Sequence, residues 1–140
     1  MVKKCIVITG TSRGIGHELK GQLAKNFFII EINRCDKKQK KKKVIYGASG
    51  INILGDFNGD EIWKTLKSYV QDNKLIVTQL FLNAGASFLE NNTKSTIRSF
   101  QGSFDVNFNS VIRAIDILGI HFAKKFIYFS SMNTIYPNRI

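Results

Sequence analysis

A cluster of glycines directly after a short apolar run constrains this chain more than any other feature of its sequence. Residues 7–16 read VITGTSRGIG and place three glycines within seven positions. The preceding residues 3–9 are rich in Val and Ile without polar alternation, which is typical of a strand buried on both faces of a parallel sheet. Apolar residues then recur every four positions through residues 15–26 and predict an amphipathic helix. The glycines therefore lie in a strand-to-helix turn.

The rest of the chain continues this alternation of strands and helices. Further strands are predicted over residues 27–33, 51–54, 74–82 and 125–129. Helical spacing of apolar residues predicts helices over 60–70 and 96–118. Strand–helix–strand units make right-handed crossovers that lay their strands parallel. The sequence therefore predicts an α/β fold, a doubly wound parallel sheet with helices on both faces.

Length and composition limit the class of protein. The 140 residues suit one domain and are too few for two, so we expect residues 1–140 to form a single domain. A hydrophobic content of 44% excludes a disordered or fibrous chain, and no apolar run reaches the 18 or so residues that cross a bilayer. We expect a cytoplasmic protein. Cys5 and Cys35 lack the spacing of metal ligands, so we expect reduced structural thiols and no metal site.

The net charge of +11 depends largely on one segment. Residues 37–43 read KKQKKKK and contain six lysines, so the rest of the chain carries a net charge of +5. Such a block is typical of a solvated surface segment, and attraction to nucleic acid or acidic lipid is the alternative. Because no aromatic residue interrupts the run, base stacking has no support and nucleic acid is not an expected partner.

The glycine turn predicts a phosphate-binding site. Without a Cβ, the backbone can adopt positive φ, and a pyrophosphate can approach it closely. The following helix presents unpaired N–H groups and the positive end of its dipole, which together stabilise an anion. The spacing here is G-x-x-x-G-x-G, which differs from the G-x-G-x-x-G dinucleotide fingerprint. The alternative is a turn that is only structural.

Five segments in order resemble the short-chain dehydrogenase/reductase family. They are TGTSRGIG at 9–16, GDF at 55–57, NAG at 83–85, VNFNS at 106–110 and the serine pair at 130–131. The resemblance covers nearly the whole chain but only about the first half of a typical member. It implies a Rossmann-like fold, truncated after about the fifth strand. The segment FIYFSSMNTIYP at 126–137 is also similar to the extended branch of the same superfamily.

The resemblance implies a role for each matched residue in holding a dinucleotide. The pyrophosphate would lie against Gly10, Gly14, Ile15 and Gly16, flanked by Ser12 and Arg13. The adenine would lie against Asp56 and Phe57. The ribose and nicotinamide would lie against Asn83, Ala84 and Gly85. An alternative for Asn83 is that it joins adjacent strands, and Leu82 replaces the asparagine that usually precedes it.

Charge at the end of the second strand favours NADP over NAD. An acidic residue there binds the ribose 2′-hydroxyl and repels a 2′-phosphate, whereas arginine does the reverse. This chain has Asn33 and Arg34 at that position, with Arg13 in the facing loop. The alternative is that Arg34 only begins a solvated basic loop.

Catalytic residues of the family are matched only in part. Asn107 matches the helix asparagine of the proton relay, and Ser131 matches the serine that orients the substrate oxygen. The family's tyrosine, with a lysine four residues later, would fall beyond Ile140. None of the four tyrosines here has such a lysine.

The resemblance therefore implies an NADP-dependent oxidoreductase that acts on a carbonyl or alcohol, in a truncated or degenerate form that binds cofactor without turnover. A non-catalytic dinucleotide-binding or sensing module is the alternative. A basic-patch binder of nucleic acid or acidic lipid is the second alternative. Self-association is also implied by the resemblance, whereas the substrate is not determined.

Overall fold

The computed structural model describes residues 3–35, 43–86 and 97–129. Most of the lysine-rich segment and the predicted serine, Ser131, lie outside these residues. Within them, six strands form one sheet: β1 (Lys4–Thr9), β2 (Phe28–Arg34), β3 (Lys43–Gly47), β4 (Gly50–Gly55), β5 (Ile76–Leu82) and β6 (Ala123–Tyr128).

The strand order β3-β4-β2-β1-β5-β6 is that of a doubly wound, Rossmann-like sheet with one additional edge strand. β1 lies between β2 and β5 and pairs in parallel with both. The chain first builds outward from β1 through β2 to β4 and then returns to the other side of β1 with β5 and β6. The order therefore reverses between β1 and β5, which is where α/β sheets of this type open a crevice at their carboxyl ends.

The predicted doubly wound parallel sheet is confirmed, with one antiparallel strand added at its edge. β3 runs antiparallel to β4, with Val44 opposite Ile53 and Tyr46 opposite Ile51. Residues 47–50 read GASG and make a tight turn between two short runs of apolar, strand-forming residues, which is a hairpin pattern. We expected only the lysine-rich segment between β2 and β4, so β3 and the hairpin were missed.

The helices are α1 (Gly14–Leu23), α2 (Asp60–Asp72), α3 (Ile97–Phe104) and α4 (Ser110–Leu118). They cover both faces of the sheet, as predicted. On one face, α1 packs through Leu19 and Leu23 against a small core that includes Ile8 and Ile29. On the other, α2 and α4 pack on a larger core that contains Trp63 and Leu66. In the described ranges, no helix combines the length and apolar character needed to span a membrane.

The long helix predicted over residues 96–118 is interrupted in its middle. Asp105–Asn109 form a π-helical turn between α3 and α4. The Ser110 amide donates to the Asp105 carbonyl, five residues back, and the Ser110 hydroxyl donates to the Val106 carbonyl at 2.5 Å. The hydroxyl thus satisfies the carbonyl that an α-helix would pair with this amide. π-Turns often occur at functional sites, and this one contains Asn107.

Candidate functional site

A cavity of about 350 Å³ opens at the carboxyl ends of β1, β2 and β5, at the reversal of strand order. Ten of the predicted cofactor residues line it: Gly10, Ser12, Arg13, Gly14, Asn33, Arg34, Phe57, Asn83, Ala84 and Gly85. Ala86 and Val106 also line it and were not predicted. Ala86 directly follows the NAG segment and Val106 is the first residue of the VNFNS segment, so including the neighbours of each assigned residue would have found both. Ile15, Gly16 and Asp56 are not among the lining residues.

The glycine turn needs its glycines for two different reasons. Gly10 and Gly14 have φ values of +72° and +62°, a region that side chains strongly disfavour. Gly16 is instead required by close packing, because a Cβ there would overlap the Gly10 carbonyl oxygen and the Asn83 side chain. Gly10 is also tightly packed, since a Cβ at this position would lie 2.9 Å from the Ala84 Cα.

Asn83 joins the glycine turn to the end of β5. Its side-chain nitrogen donates to the backbone oxygens of Thr9 at 3.2 Å and Gly10 at 3.1 Å. The buried Thr9 hydroxyl oxygen accepts from the backbone amides of Asn83 and Ala84, at 2.9 and 2.8 Å. These bonds hold the floor of the cavity together. The Asn83 side chain therefore has the strand-joining role that the sequence left open.

The positive end of α1 faces the glycine turn without a neutralising side chain. Arg13 precedes the helix in an extended conformation with no side-chain cap, and the first turn contains no acidic residue. Arg13 and Arg34 are both exposed and both line the cavity. This side of the cavity therefore combines unpaired helix amides with two guanidinium groups, an arrangement that stabilises phosphate.

Asn33 lines the cavity, but its side chain is bonded inward. It is 7% exposed, and its Oδ1 accepts from the Thr11 amide at 2.8 Å. Its Nδ2 donates to the Thr11 hydroxyl at 2.8 Å and to Asn52 Oδ1 at 3.0 Å. The Thr11 hydroxyl in turn donates to Glu31 Oε2, which also lies 3.4 Å from Lys20 Nζ. Sequence patterns gave no indication of this network because its bonded pairs are up to 22 residues apart.

The predicted adenine side is formed by Phe57 and Asp56. Phe57 is buried, its ring lies 6.0 Å from that of Trp63, and its carbonyl accepts from Trp63 Nε1 at 3.1 Å. Asp56 is exposed, and its Oδ1 accepts from the Asn58 amide at 3.0 Å. The carboxylate thus shapes the turn after β4, which presents the Phe57 side chain to the cavity.

Asn107 does not line the cavity itself but is bonded to Ala86, which does. Its Oδ1 accepts from the Ala86 amide at 2.7 Å and its Nδ2 donates to the Ala86 oxygen at 2.9 Å. The Tyr128 hydroxyl donates to the Asn107 carbonyl at 3.0 Å. Asn107 therefore joins the π-turn, β6 and the NAG segment. The other predicted catalytic residue, Ser131, lies outside the described residues.

Cys5 lies on β1 and does not line the cavity. Burial raises the pKa of the Cys5 thiol to about 12, so this thiol stays protonated at neutral pH. Residues 3–35, 43–86 and 97–129 contain no group of three or more His, Cys, Asp or Glu side chains that could hold a metal ion.

Comparison with known proteins assigns the family. The short chain dehydrogenase family matches residues 4–127, which is most of the chain. The chain belongs to this family. Its glycine turn, NAG segment and π-turn therefore lie in a short-chain dehydrogenase fold, and members of this family are oxidoreductases that bind NAD(P).

Relatives agree on the fold and are about twice as long. An uncharacterized oxidoreductase of Saccharomyces cerevisiae is 27% identical over 118 residues, which cover 81% of this chain and 46% of that protein. A short-chain dehydrogenase of Leptospira borgpetersenii, solved with bound NAD+, has a TM-score of 0.74 at 19% identity. The match covers 99% of this chain and 56% of that dehydrogenase. A 3-ketoacyl-(acyl-carrier-protein) reductase of Brucella melitensis, solved with NADH, has a TM-score of 0.67 at 18% identity. The match covers 86% of this chain and 51% of the reductase. This chain thus spans about half the length of these relatives.

Proposed function

We propose that this chain forms the NADP(H)-binding part of a short-chain oxidoreductase that transfers hydride between the nicotinamide and a carbonyl or alcohol substrate. The observation that carries the proposal is the charge around the cavity. Two arginines line it, and the side chain at the end of β2 is a carboxamide whose hydrogen bonds are directed away from the cavity. A 2′-phosphate would meet two cations there and no carboxylate.

The residues present fit a dinucleotide along the whole cavity. The Gly10 to Gly14 turn and the start of α1 would hold the pyrophosphate, with Ser12 and Ile15 beside it, while Gly16 packs beneath. Phe57 and Asp56 would hold the adenine, and the backbone of Asn83 to Gly85 would hold the nicotinamide ribose. The cofactor, when bound, supplies the hydride chemistry. In this chain, Asn107 would support that half of the site, and Ser131 is proposed to orient the substrate oxygen.

Cofactor titration tests the proposal. The chain is titrated with NADPH and with NADH while Trp63 fluorescence is followed, because Trp63 contacts the cavity residue Phe57. We expect tighter binding of NADPH. Arg34→Ala should weaken NADPH binding about tenfold or more and leave NADH binding nearly unchanged, since a hydrogen bond to a charged group contributes about 1.5–3 kcal/mol. Arg13→Ala should weaken both coenzymes, because Arg13 also flanks the pyrophosphate, but it should weaken NADPH more.

Lys25→Ala is the matched control, because it removes one exposed positive charge at the far end of α1. It should leave both affinities unchanged beyond a small effect of net charge. Equal affinity for the two coenzymes in the unmodified chain would contradict the NADP preference. Absence of binding by either coenzyme to folded protein would contradict the whole proposal.

A non-catalytic dinucleotide-binding module is the second candidate. It is favoured by one observation, that no tyrosine among these 140 residues has a lysine four positions later. An unassisted tyrosine hydroxyl, with a pKa near 10, is a poor acid or base at neutral pH. The two candidates differ in NADPH oxidation with a panel of ketones and aldehydes. Turnover by this chain favours the enzyme, whereas binding without turnover favours the module.

A further inference from the structure

A polar network beneath the glycine turn joins Thr11 of the glycine motif and the predicted residue Asn33 to three residues outside the motifs. Its members lie on the α1 face of the sheet and on the turn itself: Glu31 and Asn33 on β2, Asn52 on β4, Thr11 in the turn and Lys20 on α1. Thr11 is fully buried, although it lies between two residues that line the cavity. The network therefore connects the cavity floor to the half-buried side chains of Glu31, Asn52 and Lys20 on the α1 face of the sheet.

The network uses all the donors of Asn33. A carboxamide has two N–H donors, and here one goes to the Thr11 hydroxyl and the other to Asn52. The Thr11 hydroxyl can accept from Asn33 because its own proton goes to Glu31, whose carboxylate is an acceptor only. Each hydrogen bond thus sets the donor direction of the next, and this chain of hydrogen bonds ends at the Glu31 carboxylate, which can only accept.

The hydrogen bonds of Asn33 determine what its side chain can offer to a ligand in the cavity. With both N–H groups engaged, Asn33 cannot donate to a ribose hydroxyl or a phosphate, and its side chain stays turned inward. We propose that Thr11 and Asn52 are specificity-determining positioning residues: by holding Asn33 inward, they leave the 2′ position of the cofactor to Arg13 and Arg34. This inference rests on the proposed NADP(H) binding and adds the cause of its coenzyme preference.

Two substitutions each release one Asn33 donor. Thr11→Val removes the hydroxyl at nearly constant volume, and Asn52→Leu removes the second acceptor. A released carboxamide can turn into the cavity, where it would hydrogen-bond a ribose hydroxyl and occupy space that a 2′-phosphate needs. We expect the ratio of NADPH affinity to NADH affinity to fall about fivefold to tenfold in each variant, since a hydrogen bond contributes about 1 kcal/mol.

Two further variants are the controls. Thr11→Ser keeps the hydroxyl and should retain the original ratio. Thr65→Val makes the same chemical change on the exposed face of α2, where the hydroxyl bonds only within its helix at 2.7 Å, and it should also retain the ratio. The ratio separates specificity from stability, because a loosened turn that merely weakens binding would lower both affinities together.

The outcomes distinguish this inference from the function on which it rests. A lower ratio in Thr11→Val or Asn52→Leu, with Thr11→Ser unchanged, supports it. An unchanged ratio in folded Asn52→Leu, or an equal loss of both affinities, overturns the inference and leaves the proposed function standing. If Thr11→Val does not fold, Asn52→Leu alone decides, since Asn52 is only partly buried. If the unmodified chain does not prefer NADPH, the proposed preference and this inference both fail.

Discussion

Gly16 and Gly21 lie in the same helix and differ in what a methyl group would meet. At Gly16 a Cβ would overlap the Gly10 carbonyl and the Asn83 amide, whereas at Gly21 it would meet nothing within 4 Å. Gly16→Ala should therefore lower the free energy of unfolding by about 2 kcal/mol or more and weaken coenzyme binding. Gly21→Ala should raise the free energy of unfolding by up to about 1 kcal/mol, because alanine favours the helix.

Urea unfolding of the two variants measures this difference directly. Gly21→Ala is the control for helix propensity, because it makes the same change as Gly16→Ala in the same helix. If Gly16→Ala were as stable as the unmodified chain, the turn would not pack against Asn83 as described. The close packing would then not explain why a glycine stands at this position.

Among single residues, Asn33 shows that a position in a motif does not fix which hydrogen bonds its side chain makes. Its position at the end of β2 predicted a contact with the cofactor ribose. The side chain bonds to Thr11 and Asn52, and we propose that it acts on the ribose only through these bonds. No sequence pattern could show this, because a carboxamide suits either role and its partners come from two other segments.

Two helices on the larger core are joined at the surface by an ion pair. Arg113 of α4 contacts the Asp60 carboxylate of α2 at 2.5 Å, and Lys64 lies 3.5 Å from the same carboxyl group. The hydrogen bond from Arg113 is the main cause that holds the pKa of Asp60 below its ordinary value. A depressed pKa in the folded state stabilises the fold above the unfolded pKa, and this contribution is lost as pH falls through the folded value.

Arg113→Met should therefore raise the pKa of Asp60 toward its ordinary value in an NMR titration, and Lys25→Met should leave that pKa unchanged. The loss of stability caused by Arg113→Met should be small, because the pair is exposed, and it should disappear at a pH where Asp60 is protonated in both proteins. A destabilisation that persisted at low pH would indicate lost packing of the arginine stem rather than a lost ion pair.

Among the elements, those with strong periodicity were predicted, whereas the β3–β4 hairpin and the π-turn were not. β1, β5, α1 and α2 follow from buried apolar runs or helical spacing in their own residues. The β3–β4 hairpin was missed although residues 47–50 and their flanking runs carry a hairpin pattern. The π-turn has no such pattern in its own residues, and Asn107 within it bonds to Ala86.

The sheet order predicts a gradient of local stability across the whole molecule. β1 is paired on both sides, and its residues from Cys5 to Thr9 are buried, whereas β3 is paired with β4 alone within the described residues. In native-state hydrogen exchange, we expect β1 amides to exchange about 100-fold or more slowly than the paired amides of β3. Equal protection of β3 would mean that its outer edge is covered in solution, for example by self-association.

For the whole molecule, the amino-acid sequence by itself determined the alternation of buried strands and amphipathic helices, the glycine turn after β1 and the family. These are local properties, since each depends on residues within a few positions of one another. Only the tertiary structure decided which strand closes the edge, how Asn33 is turned and that Ala86 and Val106 also line the cavity. The physical reason is that these depend on hydrogen bonds between segments distant in sequence, such as Thr9 with Asn83 and Asn33 with Thr11, which form only when the strands pair in this order.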